Sequence, residues 1–126
     1  MAVTKIKGGV FPQTEVKNSA YTVVTTTDSG KTFEVEGGNS VVFTLPAIAV
    51  GNVFTFVYSG GDANGSISIS PAAADGITYA GSSTDNKDLV LTTANAQRGD
   101  FVTIASLDGV VAWQVIDAAG TWTKEA

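Results

Sequence analysis

GDFVTIASLDGVVAWQVID, residues 99–117, alternates apolar and polar positions on both sides of an Asp108-Gly109 pair. Asp-Gly between alternating runs is a strong signal for a two-residue hairpin turn, whose central residues need positive φ. Counting outward from that turn, Ile104 pairs with Trp113, Val102 with Val115 and Ser106 with Val111, all on one face. The stretch therefore reads as an antiparallel hairpin with Trp113 in the core. Its other face carries Phe101, Thr103, Ala105, Ala112, Gln114 and Ile116, which is too apolar at one end for a freely solvated surface.

Short runs of the same kind recur along most of the chain, separated by Gly, Asp, Asn and Ser clusters. They are Tyr21 to Thr26, Thr32 to Glu36, Val41 to Leu45, Val53 to Tyr58, Ser66 to Ser70, Ile77 to Tyr79, Leu89 to Thr92 and Thr121 to Lys124, beside the two hairpin strands. Asp28-Ser29-Gly30 reads as a hairpin turn joining the first two, and Pro46 as the end of the third. No run has a helical period. The expectation is an all-β domain over residues 20–126, an antiparallel β-sandwich of jelly-roll type, preceded by an irregular arm at residues 1–19.

Within Val53 to Tyr58 both faces are apolar, with Val53, Thr55 and Val57 on one side and Phe54, Phe56 and Tyr58 on the other. A central strand inside one monomer satisfies this pattern, and so does a face buried between subunits. Phe54, Phe56, Tyr58, Phe101, Ile116 and Trp122 are accordingly the candidates for a subunit interface. The apolar stretch from Val41 to Tyr58 is divided by Pro46, Gly51 and Asn52, so it reads as two strands and a turn, with no membrane span.

Composition removes much chemistry. The 126 residues include no cysteine and no histidine, which excludes thiol nucleophiles, disulfides, imidazole catalysis and the usual zinc ligand sets. Charged residues make up only 15%, and the net charge of −5 would repel a phosphate backbone, so no nucleic-acid partner is expected. Residues 1–19 are basic, with Lys5, Lys7 and Lys17 against Glu15, while the remainder is acidic. Lys5, Lys7, Gly8 and Gly9 interrupt any apolar run at the start, which does not read as a secretory signal.

Asp62, Asn64 and Gly65 in SGGDANGS match a calcium loop poorly, because no late bidentate Glu follows; a long β-connection is the better reading. Asp75, Asp85, Asp88, Asp100, Asp108 and Asp117 sit beside turns and strand ends, where carboxylates cap backbone N–H groups. No nucleophile and base can be paired, so the chain reads as noncatalytic, without cofactor or metal. Trp113, Trp122, Tyr58 and Tyr79 are the aromatic candidates for stacking on a sugar; Trp113 falls in phase with the core and Trp122 is the better candidate, although a terminal Trp commonly closes the end of a sandwich.

Three stretches carry a resemblance: MAVTKIKGGVF at the start, FTLPAIAVGNVFTFVYSGGDANGSISISP in the middle, and GDFVTIASLDGVVAWQVIDAAGTWTKE at the end. In style they resemble the capsid decoration, or cement, proteins of tailed bacteriophages. That resemblance implies a homotrimer made in the host cytoplasm and seated on the outer capsid surface of the virion, where it clamps the major capsid protein. It further implies contacts through the arm, at Val3, Lys5, Ile6, Lys7, Val10, Phe11 and Lys17. The alternative is a carbohydrate- or receptor-binding β module of a tail fibre or spike.

Overall fold

The computed structural model describes residues 13–107 and 112–126. In chain order the elements are β1 (Thr14–Val16), β2 (Tyr21–Thr22), a single helical turn α1 (Thr25–Asp28), β3 (Thr32–Val35), β4 (Ser40–Thr44) and β5 (Val53–Tyr58). There follow β6 (Ser66–Ser70), β7 (Gly76–Thr78), β8 (Leu89–Leu91), a 3-10 turn (Thr93–Asn95), β9 (Phe101–Ala105), β10 (Ala112–Ala119) and β11 (Thr123–Lys124). The chain is all-β apart from the two short turns. Every expected strand has a counterpart, and Thr14–Val16 adds one inside what reads from sequence as the arm.

Sheet A has six strands in the order β1-β3-β5-β9-β10-β7, and sheet B five in the order β11-β8-β6-β4-β2. Both are mixed. Parallel pairs join β1 to β3, β3 to β5 and β7 to β10 in sheet A, and β2 to β4 and β4 to β6 in sheet B. The expected antiparallel, jelly-roll-like arrangement is therefore not what forms. Period-two alternation fixes which residues face the core but is the same for both strand directions, and a parallel neighbour needs only a crossover between the strands. Here the crossover is a strand of the other sheet. From β1 to β6 the chain alternates sheets and makes three stacked coils, β1/β2, β3/β4 and β5/β6, before β8, β9, β10 and β11 complete the sheets through antiparallel pairs.

Asp28-Ser29-Gly30 is not a hairpin turn, because β2 and β3 lie in different sheets and Asp28 closes the helical turn α1. The hairpin of residues 99–117 does form, but its register is displaced. Ile104 lies opposite Val115 and Gln114 opposite Ala105, two residues beyond the pairing that a two-residue turn imposes. A bulge at Ile116 then shifts the pairing once more, so that Val102 faces Ala118. The first displacement is even and leaves side chains on their expected faces, so Trp113 is fully buried. Val111, the expected partner of Ser106, lies outside the described residues.

One core fills the space between the sheets. Phe33 and Phe56 of sheet A stack at 5.6 Å between ring centroids, and Phe43 of sheet B meets them at 5.4 and 4.8 Å. Tyr21 extends this aromatic column into the first coil, and Trp113 contacts Phe54 at 5.6 Å. Phe54, Phe56 and Tyr58 are wholly enclosed by their own domain. The doubled apolar character of Val53–Tyr58 is that of a central strand, which leaves these three rings no surface for another subunit.

Candidate functional site

Three places on the described residues combine chemistry with surface. The first is the outer edge of coil one. Glu15, the middle residue of β1, is in register with core Phe33 and so points inward on an edge strand. There it meets Lys31 at 3.2 Å and Lys17 at 3.4 Å. Lys31 also bonds Asp28 at 3.0 Å, and Asp28, only 1% exposed, accepts from the Tyr21 hydroxyl at 2.7 Å and the Val24 N–H at 2.8 Å. The Lys17 ammonium lies 3.7 Å from the centre of the Tyr21 ring.

These contacts set the ionisation of the cluster. Burial pushes the Asp28 carboxyl up, but the hydrogen bonds from Tyr21, Val24 and Lys31 outweigh it and hold the group below its ordinary value. The bond to Asp28, helped by burial, pushes the Tyr21 phenol up to about 12. The bond from Lys31 holds Glu15 low despite partial burial, and the bond to Asp28 raises Lys31. An inward charge on a short edge strand discourages another strand from adding there. The arrangement is a structural lock on the first coil.

The second place is the outer face of sheet A. Thr14, Thr32, Thr55 and Thr103 lie side by side across four strands, and the Thr55 and Thr103 hydroxyls are 2.8 Å apart. A neighbouring row runs Val16, Glu34, Val57, Phe101 and Ala119, and a third runs Val53, Ala105, Gln114 and Thr78. The threonine row continues through Thr103 to the exposed Asp117 of β10, so these rows carry two charges, both acidic: Asp117, and Glu34, whose carboxylate is held by the Ser59 hydroxyl at 2.6 Å. Val53 is 37% exposed, and the bulge turns Ile116 out to 53% exposure.

The third place is the opposite end of the sheets, where Trp122 and Tyr79 line a cleft of about 380 Å³. Trp122 is 5% exposed, and its indole N–H donates to the Ala119 carbonyl at 3.0 Å. Lys124 donates to the carbonyls of Thr84 and Lys87 at 3.3 and 3.1 Å, and burial pulls its amine below the ordinary lysine value.

The structure separates the residues expected from sequence to act together. Among the interface candidates, Phe101 and Ile116 have surface on sheet A, Trp122 packs at the far end, and Phe54, Phe56 and Tyr58 are interior. Of the arm candidates, Lys17 is engaged with Glu15 and Tyr21, whereas Val3, Lys5, Ile6, Lys7, Val10 and Phe11 lie outside the described residues. SGGDANGS forms the corner between β5 and β6, stacked on the corner of the coil before it through the Gly38 N–H and the Asn64 carbonyl. Asp75, Asp88 and Asp100 hold the Ile48 N–H, the Ser68 hydroxyl and the Gln97 N–H, which is connection and turn duty. Asp28 escaped as a site residue because Asp28-Ser29-Gly30 reads as a turn, and no local pattern marks Lys31 as its partner.

No protein-family model matches the chain, and no curated protein matches it. Among the described residues no helix is long and apolar enough to cross a membrane.

Proposed function

We propose that the chain is a noncatalytic structural subunit of a bacteriophage virion, which binds the major capsid protein on the outer surface of the head and stabilises the shell. The outer face of sheet A carries this reading. It is broad and rich in threonine and small apolar groups, with Glu34 and Asp117 as the charges in its rows, a composition that suits a surface covered by other protein. The strand β1 lies at the edge of that same sheet, and the arm candidates Val3, Lys5, Ile6, Lys7, Val10 and Phe11 precede it in the sequence. A homotrimer would carry three such faces and three arms. Each contact after the first is then intramolecular, and modest contacts add up to a durable clamp.

Cosedimentation with undecorated capsids tests this. Removing residues 1–12, with circular dichroism checking that the variant stays folded, is expected to weaken capsid binding at least tenfold. Val53→Lys combined with Ile116→Lys changes two exposed positions and is expected to do the same while leaving the unfolding midpoint nearly unchanged. If both variants bind capsids as the parent does, the reading is wrong. Sedimentation of the intact protein as a monomer would remove the trimer.

A further inference from the structure

The two ends of the paired sheets are built differently. At the end formed by β1 and β2, the Glu15, Lys31 and Asp28 cluster lies across the gap between the sheets. At the other end, where β7 and β11 are the edge strands, lies the cleft. One wall is a tight turn in which Tyr79 and Ser82 exchange backbone hydrogen bonds at 2.9 and 3.0 Å. Its central residues, Ala80 and Gly81, have φ of 51° and 86°, as a rigid two-residue hairpin turn requires. The facing wall is the C-terminal segment with Lys124 and Glu125, and the anchored indole of Trp122 also lines the space.

We infer that this cleft is a binding site for a neutral sugar, taking one pyranose ring of a glycan between Tyr79 and the Trp122–Glu125 segment. Its volume of about 380 Å³ admits one ring with its substituents and lies at the small end of ligand pockets, roughly 300–1,000 Å³. The lining sets the half-buried Tyr79, with Trp122 contributing only the 5% of its surface that is exposed, beside hydroxyls, a carboxylate and an ammonium. A pyranose presents the matching chemistry: a C–H face that packs on an aromatic ring, and a rim of hydroxyls that each donate and accept. An anionic ligand fits less well, because Glu125 opposes it and the Lys124 ammonium already serves two carbonyls. A wholly apolar ligand would desolvate those polar groups without pairing them.

This inference is independent of capsid binding and is read with a different ligand. The intact protein is titrated with the methyl glycosides of glucose, galactose, mannose and N-acetylglucosamine, and with sialic acid as the anionic comparison, while backbone amide resonances are followed. At least one neutral glycoside is expected to saturate at millimolar concentration and move the amides of Tyr79–Ser82 and Trp122–Glu125. Glu125→Gln is expected to weaken that binding severalfold and Tyr79→Ala at least tenfold, in proteins whose remaining spectrum is unchanged. Absence of saturable shifts with every neutral glycoside overturns the inference. So does binding of sialic acid alone, or neutral binding that survives both substitutions at full affinity. Capsid cosedimentation of the same variants is expected to be unaffected, which separates failure of this site from failure of the sheet A surface.

Discussion

Replacing Asp28 with alanine is expected to cost about 3–5 kcal/mol of folding stability, the range for breaking a buried charge pair by removing one partner. Four donors lose an acceptor at once: the Tyr21 hydroxyl, the Val24 N–H, the Thr27 hydroxyl and the Lys31 ammonium. The Lys31 side chain is only 13% exposed and would retain Glu15 alone. Denaturant unfolding monitored by circular dichroism reads the loss. A variant as stable as the parent would show that the cluster does not hold the first coil.

The same cluster shapes the pH dependence. Asp28 and Glu15 are held below their ordinary values in the folded chain, so their contribution is present above the unfolded carboxylate range and is lost as pH falls through the folded values. Tyr21 is raised from 10.0 to about 12, so its contribution is present below the unfolded value and is lost as pH climbs through that interval. The unfolding free energy is expected to fall on both the acid and the alkaline side. Asp28→Asn removes the acid titration of that site and weakens the hold on the Tyr21 proton, and so should flatten both limbs. An unchanged profile in Asp28→Asn would contradict the geometry.

Gly60→Ala is expected to destabilise the protein by about 3 kcal/mol, the upper part of the usual cost of overpacking. A Cβ at Gly60 would stand 2.4 Å from the Gly37 Cα, 2.5 Å from the Gly37 nitrogen and 2.5 Å from the Tyr58 hydroxyl. Two of those neighbours are backbone and the third is held by its bond to the Gly61 carbonyl at 2.7 Å, so none gives way cheaply. Relief requires parting the second and third coils at their stacked corners. Gly61→Ala is the internal control, because a Cβ there meets nothing within 4 Å, and it is expected to be nearly neutral. Thermal melts of the two variants side by side decide the matter.

The strands were legible because β-branched and aromatic runs between turn residues carry a local signal, and the burial of Trp113 followed from its phase alone. Strand direction was not, since Thr32–Val35 alternates identically whether its neighbour runs with it or against it. The clue lay in a longer comparison. TFEVEGGNSVVFT at residues 32–44 and TFVYSGGDANGSISIS at 55–70 share Thr-Phe, Gly-Gly and a Ser-initiated strand, the second copy having a corner three residues longer. The structure sets these copies in register, Thr32 on Thr55 and Ser40 on Ser66. The hairpin register was misread for a different reason. Asp-Gly specifies a turn locally, whereas the observed pairing and the bulge at Ile116 are settled by fitting β10 between β9 and β7. The surface of sheet A was half visible, in Phe101 and Ile116, while its threonine row required the partners of four separate strands.

Coil-by-coil construction also implies an order of events when the protein opens. The first coil joins its neighbour through only three residue pairs in one sheet and two in the other, whereas the second joins the third through four and five. Amide protons should therefore exchange with solvent fastest in the edge strands β1 and β2, more slowly in β3 and β4, and slowest in β5 and β6, which lie farther from that edge. Among the three coils, opening should begin at the first, with the Asp28 cluster as the clasp that sets how often it does so.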